Sequence, residues 1–355
     1  MVSPNTMKNF IDCSKFGNGS CPEMSRSSGV RGAMYLFMTG AIFITIFGNP
    51  AIIISISYFK QLHSPTNFLI LSMAITDFLL GFTIMPYSMI MSVENCWYCE
   101  ITFCKVHYSF NLMLCLVSIF HLCSIAVDRF YAICYPLHYS SKISFPVIRQ
   151  LLAVCWTVPV ALLLGLFFSE AYASGIEGYK ILVACSSLCP IVFNKSWGTI
   201  LFTVGLFAPG CFIIGTYGKK TVISKKHARV VNNIPDDANN DIINQLSKKK
   251  ARKAAKTSSI VMGVFLICWF PCFFTILIDL FLNFTTMLAL FDALNWFGYF
   301  NSTCNPLIYG FFYPWFQKAL KYILGGKIFN PHSRTTNLLL KINHNRISEM
   351  ENKSQ

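Results

Sequence analysis

The sequence predicts an all-α membrane protein: a seven-transmembrane helix bundle followed by a short amphipathic eighth helix. Three observations carry that prediction. Of 355 residues, 54% are hydrophobic and only 12% charged, about half the charge of an average soluble domain. Seven stretches are apolar over the roughly 20 residues needed to cross hydrocarbon. The basic residues gather in a few of the segments between those stretches. A soluble fold of this length could not hide so much apolar surface, whereas lipid accepts it. The 33 phenylalanines suit side chains that face acyl tails.

The spans expected in chain order are 33–58, 68–92, 103–133, 149–170, 197–223, 258–282 and 287–312. None alternates as a barrel strand would, so each is a helix that satisfies its own backbone groups in lipid. Orientation follows from lysine and arginine. With the N-terminus outside, only Lys8, Lys15, Arg26, Arg31, Lys105, Lys180 and Lys195 lie on the outer side, leaving 22 of the 29 within. The opposite assignment breaks the positive-inside rule. The expected organisation is an extracellular N-terminus over 1–32, the bundle over 33–313, a membrane-surface helix over 314–326 and a cytoplasmic tail over 327–355. Residues 1–30 hold no apolar core ahead of a cleavage site, so the first span is expected to target the chain. The plasma membrane is the expected location.

The smaller features fit this order. Asn18-Gly19-Ser20 and Asn283-Phe284-Thr285 are glycosylation sequons on outer segments. Asn194-Lys195-Ser196 lies at an outer mouth, and Asn301-Ser302-Thr303 lies inside a span and is expected to go unused. The stretch Asn232–Ser247 of the third inner loop is polar enough to be disordered. After Pro314, Phe316, Leu320, Ile323 and Leu324 share one helical face opposite Gln317, Lys318 and Lys321, and Gly325-Gly326 stops the pattern. That amphipathic helix makes membrane lipid a partner.

Several classes are disfavoured. A net charge of +14 would suggest nucleic acid, but the clustering of that charge in inter-span loops reads as membrane orientation, and no nucleic acid is expected. The 15 cysteines lack metal-ligand spacing, and most sit in apolar stretches where a thiol behaves as a small hydrophobe. Cys13, Cys21, Cys96, Cys99, Cys104, Cys185 and Cys189 fall in outer positions where disulfides persist. No nucleophile with a base and no phosphate-cradling loop is visible, so no enzyme is expected. A transporter, the other membrane class, would show internal repeats and helices broken at mid-membrane. No repeat is visible.

Polar groups inside lipid are costly and therefore informative. Asn49, Asp77, Ser118, Asn301 and Asn305 fall at similar depth on four spans, where they could converge on one hydrated cation such as sodium. The bland reading is unrelated inter-helix hydrogen bonds. The third span is long: Cys104 to Arg129 is 25 residues, about 37 Å of helix. Its inner end carries Asp128-Arg129-Phe130, which on its own could be an interfacial anchor.

Six motifs in register change that reading. Gly48-Asn49, Leu71 to Asp77, Asp128-Arg129-Phe130, Trp156, Cys268-Trp269-Phe270-Pro271 and Asn305-Pro306-Leu307-Ile308-Tyr309 fall on successive spans. In that order they resemble the rhodopsin-like (class A) G-protein-coupled receptors over nearly the whole chain. Asn95-Cys96-Trp97-Tyr98, Ser118-Ile119-Phe120-His121-Leu122-Cys123, Ala254-Ala255-Lys256-Thr257 and the run Trp296–Ser302 resemble the trace amine-associated receptors, and within them the second subtype. The resemblance implies an olfactory-type receptor for a small amine that signals through a stimulatory G protein and cyclic AMP. It implies disulfides Cys104–Cys189 and Cys21–Cys185, with Cys13 and Cys99 left over. It implies a ligand pocket lined by Asn111, Leu112, Cys115, Phe202, Trp269, Cys272, Phe273, Trp296 and Tyr299. Such an aromatic pocket suits a small hydrophobic, cationic molecule. Pro209 and Pro271 would kink their helices by removing a backbone donor. Asp128, Arg129, Tyr217, Pro271, Pro306 and Tyr309 would carry activation and coupling. The only cofactor expected is the sodium ion.

The departures are specific. Asn111 stands where amine receptors of this kind hold an Asp that pairs with the ligand ammonium. It lies seven residues inward from Cys104, about 10 Å along the helix. An amide accepts a hydrogen bond but brings no charge. Asp279 and Asp292, near the outer helix ends, are the remaining acids that could replace it. The alternative is an orphan receptor that does not answer to amines. Ala251 replaces a Glu that restrains Arg129, which implies basal signalling. Tyr299 stands where opsins keep their retinal lysine, so retinal is excluded. Pro50 inside the first span is an odd place to lose a backbone bond. No cysteine follows Pro314 to carry a palmitoyl anchor.

Overall fold

The computed structural model describes residues 27–94, 101–135, 138–169, 194–212, 214–215, 218, 260–278, 288–329 and 334. Among the described residues every regular element is helical. Helix α1 is Ser28–Tyr58, and a single 3-10 turn, Lys60–Leu62, leads to α2, Pro65–Glu94. Helix α3 is Ile101–Cys134 and α4 is Phe145–Ser169, with one helical turn, Tyr139–Lys142, before it. Helix α5 begins as Lys195–Phe202. Helix α6 is Ile260–Ile278, α7 Leu288–Phe312 and α8 Pro314–Leu324.

Local chemistry sets the helix ends. Ser64 caps α2 by accepting from the Asn67 N–H, and Pro65 occupies the first turn, where its missing donor costs nothing. Asn194 caps α5 through its side chain at 3.0 Å from the Trp197 N–H. Helix α8 ends as its two glycines suggested: the Gly325 N–H returns to the Lys321 carbonyl, and Gly326 takes φ of 65°, a left-handed conformation that favours glycine. Helix α1 starts ahead of the expected residue 33. Its first turn carries Arg31, which with Tyr35 clasps Glu94 at the end of α2.

Among the described residues, two helices are not regular throughout. A π turn, Leu80–Ile84, interrupts α2, and another, Thr203–Phe207, follows the first turns of α5. Each inserts extra backbone into a turn and so rotates everything beyond it.

Unlike a soluble protein, the bundle turns large apolar side chains outward and buries polar ones. Phe43 and Phe47 are 61% exposed and Phe311 76%, whereas Asn49, Asp77 and Asp128 are at 0 or 1%. Apolar rings cover the outside, and the interior is an apolar core that holds a few polar groups, the arrangement lipid demands. Helices α1, α2, α3, α4 and α6 are long and apolar enough to cross a membrane by length and composition. Helix α7 is as long, but Asp292, Asn295, Asn301 and Asn305 dilute its hydropathy. The described part of α5 is shorter than a span.

Helix α1 packs against α2 and α7, α2 against α3 and α4, and α3 against α4. Helix α8 turns back along α1 and buries Trp315, Phe316 and Ala319. Tyr58, at the end of α1, donates to the Ile328 carbonyl at 2.6 Å and pins the segment after α8.

Candidate functional site: polar centres of the bundle

The first centre lies toward the Cys104 end. Asn111 on α3 donates from Nδ2 to the Tyr299 hydroxyl on α7 at 2.9 Å and accepts the Cys115 thiol at 3.6 Å. Both halves of the amide are therefore used within the bundle. Nearer the helix ends, Ser92 on α2 donates to Asp292 Oδ1 at 2.7 Å and receives the Trp296 indole N–H at 2.8 Å. Trp296 and Tyr299 meet edge to face at 5.5 Å. Ser88 stands 3.3 Å from His107 Nε2, so hydroxyls of α2 tie α3 and α7 together.

Below this layer sits an aromatic pair on α6. Trp269 and Phe273 are buried with ring centroids 5.7 Å apart. The indole lies on the bare backbone of α7 at Gly298. A Cβ at that position would meet Trp269 Cζ3 at 2.7 Å, closer than a real contact. Glycine is required there by the approach of the ring.

The second centre is Asp77. Ser302 donates to its Oδ1 at 2.6 Å and Asn305 to its Oδ2 at 2.7 Å. Asn49 donates to the Thr45 and Ser302 carbonyls at 3.0 and 3.3 Å and so reaches the acid through Ser302. Ser118 and Asn301 are buried but make no hydrogen bond to Asp77. Among the described residues, four atoms of this centre have no partner: Asn49 Oδ1, Asn305 Oδ1 and both amide atoms of Asn301 are buried and unbonded. Orphaned carbonyl oxygens around a carboxylate are costly unless something fills their lone pairs. A hard monovalent cation with oxygen ligands fits that donor set.

The third centre is Asp128-Arg129, at the other end of α3. Asp128 Oδ2 holds the neighbouring Arg129 guanidinium at 2.8 Å. Thr66, in the first turn of α2, donates to both carboxylate oxygens at 2.9 and 3.0 Å, and Tyr139 donates to Oδ1 at 2.7 Å. Tyr139 lies in the turn outside the spans. Burial, and then the Asp128 carboxylate, push its phenol up to about 12, so it stays an O–H donor near neutral pH. Asp128 is therefore clamped from α2 and from the turn before α4 while it restrains Arg129.

A fourth tie is structural. Ser72 on α2 receives the Trp156 indole N–H at 3.0 Å and lies 2.8 Å from His121 Nε2, joining α2, α3 and α4 at mid-depth.

The family model described as 7 transmembrane receptor (rhodopsin family) matches residues 48–309. Trace amine-associated receptor 2 of Mus musculus is 68% identical over 338 residues, 95% of this chain and 98% of its own. Trace amine-associated receptor 3 of Mus musculus is 61% identical over 331 residues, 93% of this chain and 96% of its own. Trace amine-associated receptor 4 of the same organism is 49% identical over 328 residues, 92% and 94% of the two chains. This chain is a trace amine-associated receptor.

As a rhodopsin-family trace amine-associated receptor it is a multi-pass membrane protein and not an enzyme. Its partners are a small ligand and a heterotrimeric G protein. The structure brings Asn111, Cys115 and Tyr299 together by hydrogen bonds. It buries Trp269, Cys272 and Phe273 in one apolar cluster, with Leu112 and Phe202 packed against it. Trp296 and Tyr299 belong to a second cluster, with Leu80, Ile84 and Met85 of α2. The nine expected pocket residues thus fall in two adjoining groups. Pro271 and Pro306 are accommodated within α6 and α7. Tyr309 is buried and packs edge-on to Tyr313 at 5.3 Å; Arg129 is held by Asp128 instead.

Cys104 is disulfide-bonded, and no other described cysteine is its partner. Cys21, Cys185, Cys189, Tyr217, Asp279, Ala251 and the sequons at Asn18 and Asn283 lie outside the described residues. Sequence reasoning missed Ser302, Thr66, Tyr139, Ser88 and Ser92. Only Ser302 carried a signal, as a hydroxyl directly beside Asn301 within a polar run.

Proposed function

We propose that this receptor senses small, apolar amines outside the cell and signals through a stimulatory or olfactory-type G protein and cyclic AMP. The reading rests on one observation above the others: a buried aromatic floor, Trp269 on Gly298, lies on α6 directly beneath the polar layer of Asn111 and Tyr299. A ligand seated on that floor presses on Trp269, and Pro271 two residues on gives α6 a hinge. The displaced inner end of α6 opens the face guarded by Arg129, whose bond to Asp128 is exchanged for contacts with Tyr217, Tyr309 and the G protein. The names of the relatives support the amine class. The aromatic walls suit a cation whose body is apolar.

The orientation that goes with this reading places the N-terminus outside, at the plasma membrane, as the basic loops favour. The Cys104 end is then the outer end. Cys104–Cys189 and Cys21–Cys185 would tie the second outer loop and the N-terminus over the pocket, and Asn18 and Asn283 would carry glycans. The segments 1–32, 33–313, 314–326 and 327–355 keep the roles of outer segment, bundle, surface helix and tail. Asp77, Ser302 and Asn305, with the unbonded oxygens of Asn49 and Asn301, would hold a sodium ion, which supplies a positive charge to the Asp77 carboxylate.

A second reading is favoured by Asn111, whose amide is neutral and already bonded on both sides: a receptor for neutral ligands. One cyclic-AMP screen of volatile amines and neutral odorants separates the two. On the amine reading Asn111→Asp raises potency toward amines by tenfold or more, since about 1.4 kcal/mol is a factor of ten. A response confined to neutral odorants, unchanged by Asn111→Asp, would replace it with the second reading.

A further inference from the structure

Away from the pocket, the inner rim between α2 and α4 holds two cations that the fold described above does not use. Lys142 ends the single helical turn Tyr139–Lys142. Arg149 lies four residues into α4 from Phe145, about 6 Å along the helix. Both residues are exposed, and neither side chain has a hydrogen-bond or ion-pair partner among the described residues. The acids among the described residues are Asp77, Glu94, Asp128 and Asp292. Of these, Asp128 alone lies toward this end of the bundle, and it is fully buried against Arg129. Among the described residues the rim therefore presents unbalanced positive charge.

Arg149 is the more informative of the two. An exposed guanidinium one turn inside a span faces lipid, which is costly, and such a side chain runs back along apolar surface until its head reaches the interface. That direction is toward Lys142. In sequence the two cations flank an aromatic step. Phe145, 51% exposed, meets Phe68 of α2 edge to face at 5.9 Å, and the His63 ring lies 5.9 Å from Phe68. Outward from the step, Ile75, Phe78 and Phe82 follow Phe68 along one side of α2 at helical spacing, with Phe78 and Phe82 stacked at 5.9 Å. Positive charge at the interface beside an apolar strip in the hydrocarbon matches a phospholipid, with phosphate at the rim and acyl chain along the rings.

We propose that Lys142 and Arg149 bind the head group of an anionic phospholipid of the inner leaflet, with one acyl chain laid along Phe145, Phe68 and Ile75. This rests on the orientation that puts the basic loops inside, and not on the class of the pocket ligand. Two unbalanced cations select a head group of net negative charge over a zwitterionic one. A bound phosphate then joins the turn carrying Lys142 to the first turns of α4. Tyr139 belongs to that same turn: its carbonyl takes the Ile143 N–H at 2.8 Å, and its hydroxyl donates to Asp128. The lipid thus steadies the clamp on Asp128 from outside the bundle.

The test uses the purified full-length receptor in nanodiscs of phosphatidylcholine alone, or of phosphatidylcholine and phosphatidylserine two to one. Phosphatidylserine is expected to raise the melting midpoint by roughly 4 °C or more, through two cations at the surface, and to slow hydrogen exchange across residues 139–145. Lys142→Gln with Arg149→Gln is expected to abolish both effects, while Lys142→Arg with Arg149→Lys keeps them. Lys321→Gln with Lys327→Gln, which removes charge at α8 instead, is expected to keep them too. Should the first pair fail to purify, each substitution is made alone and is expected to halve the shift. Effects that survive removal of Lys142 and Arg149 overturn the proposal, as does equal loss in the α8 pair, which is a general response to surface charge. A wild type that does not respond to phosphatidylserine also overturns it. Inorganic phosphate added to the phosphatidylcholine discs is expected to do nothing; a shift from phosphate alone would make the occupant a free anion and overturn the proposal as well.

Discussion

Trp269 rests on a single missing side chain. Because a Cβ at residue 298 would stand 2.7 Å from the indole, Gly298→Ala must push the ring off its seat. Overpacking of this kind costs about 1–3 kcal/mol, and the cost falls on the arrangement in which Trp269 lies flat on α7. We expect basal cyclic AMP to rise several-fold at equal surface amount. Adding Trp269→Phe, whose smaller ring clears the new methyl, should bring it back toward the level of Trp269→Phe alone. Equal basal levels in Gly298→Ala and wild type would show that the seat does not matter. At this scale the sequence was partly legible. Asp77, Asn111 and Arg129 announced themselves as polar groups in apolar stretches. Ser92 did not, because a helix serine ordinarily bonds back to the carbonyl four residues before it. Ser92 does so as well, at 2.7 Å from Ser88, and nothing in the residue type tells which serine also reaches across.

The helices were legible because lipid imposes their length and composition, and all the expected spans with described residues are helices there. Their irregularities were not, since one extra residue in a turn leaves hydropathy unchanged. The π turn at Leu80–Ile84 matters most, because it sets which way the outer third of α2 faces. Ser88, Ser92 and Glu94 all lie beyond it. Inserting one alanine after Met85, beyond the turn, would rotate that outer third by about 100°. Ser92 would then leave Asp292 and Trp296, and Glu94 would leave Arg31. With about 1 kcal/mol for each of the two Ser92 contacts and roughly 2–4 °C per kcal/mol, the purified receptor should melt roughly 4–8 °C lower. An unshifted melting curve would show that the facing of the outer third of α2 does not matter.

For the molecule as a whole, the Asp77 centre couples α1, α2 and α7 through Asn49, Ser302 and Asn305. A cation filling the unbonded oxygens stabilises the state that forms the site, by about 1 kcal/mol when its concentration is a few times its dissociation constant. Melting in sodium chloride should therefore run roughly 2–4 °C above melting in choline chloride, and Asp77→Asn should erase the difference. If the two salts give the same midpoint in the unmodified receptor, the site holds no sodium. Asn49, Asp77 and Asn305 were visible in the sequence as polar groups in apolar spans, whereas Ser302, which donates to Asp77, was not singled out. Their division into direct ligands of Asp77 and indirect ones was not visible, because depth along a helix says nothing about rotation around it.

The polar character of α7 also bears on how the protein is made. A lone segment bearing Asn295, Asn301 and Asn305, with Asp292 near its end, is a poor substrate for the insertion machinery, because polar groups within a span oppose insertion. Thr45 of α1 and Ser92 and Asp77 of α2 offer it partners, and both of those helices leave the ribosome first. Assembly is accordingly ordered: the early helices form a half-built socket, and the late one enters by completing it.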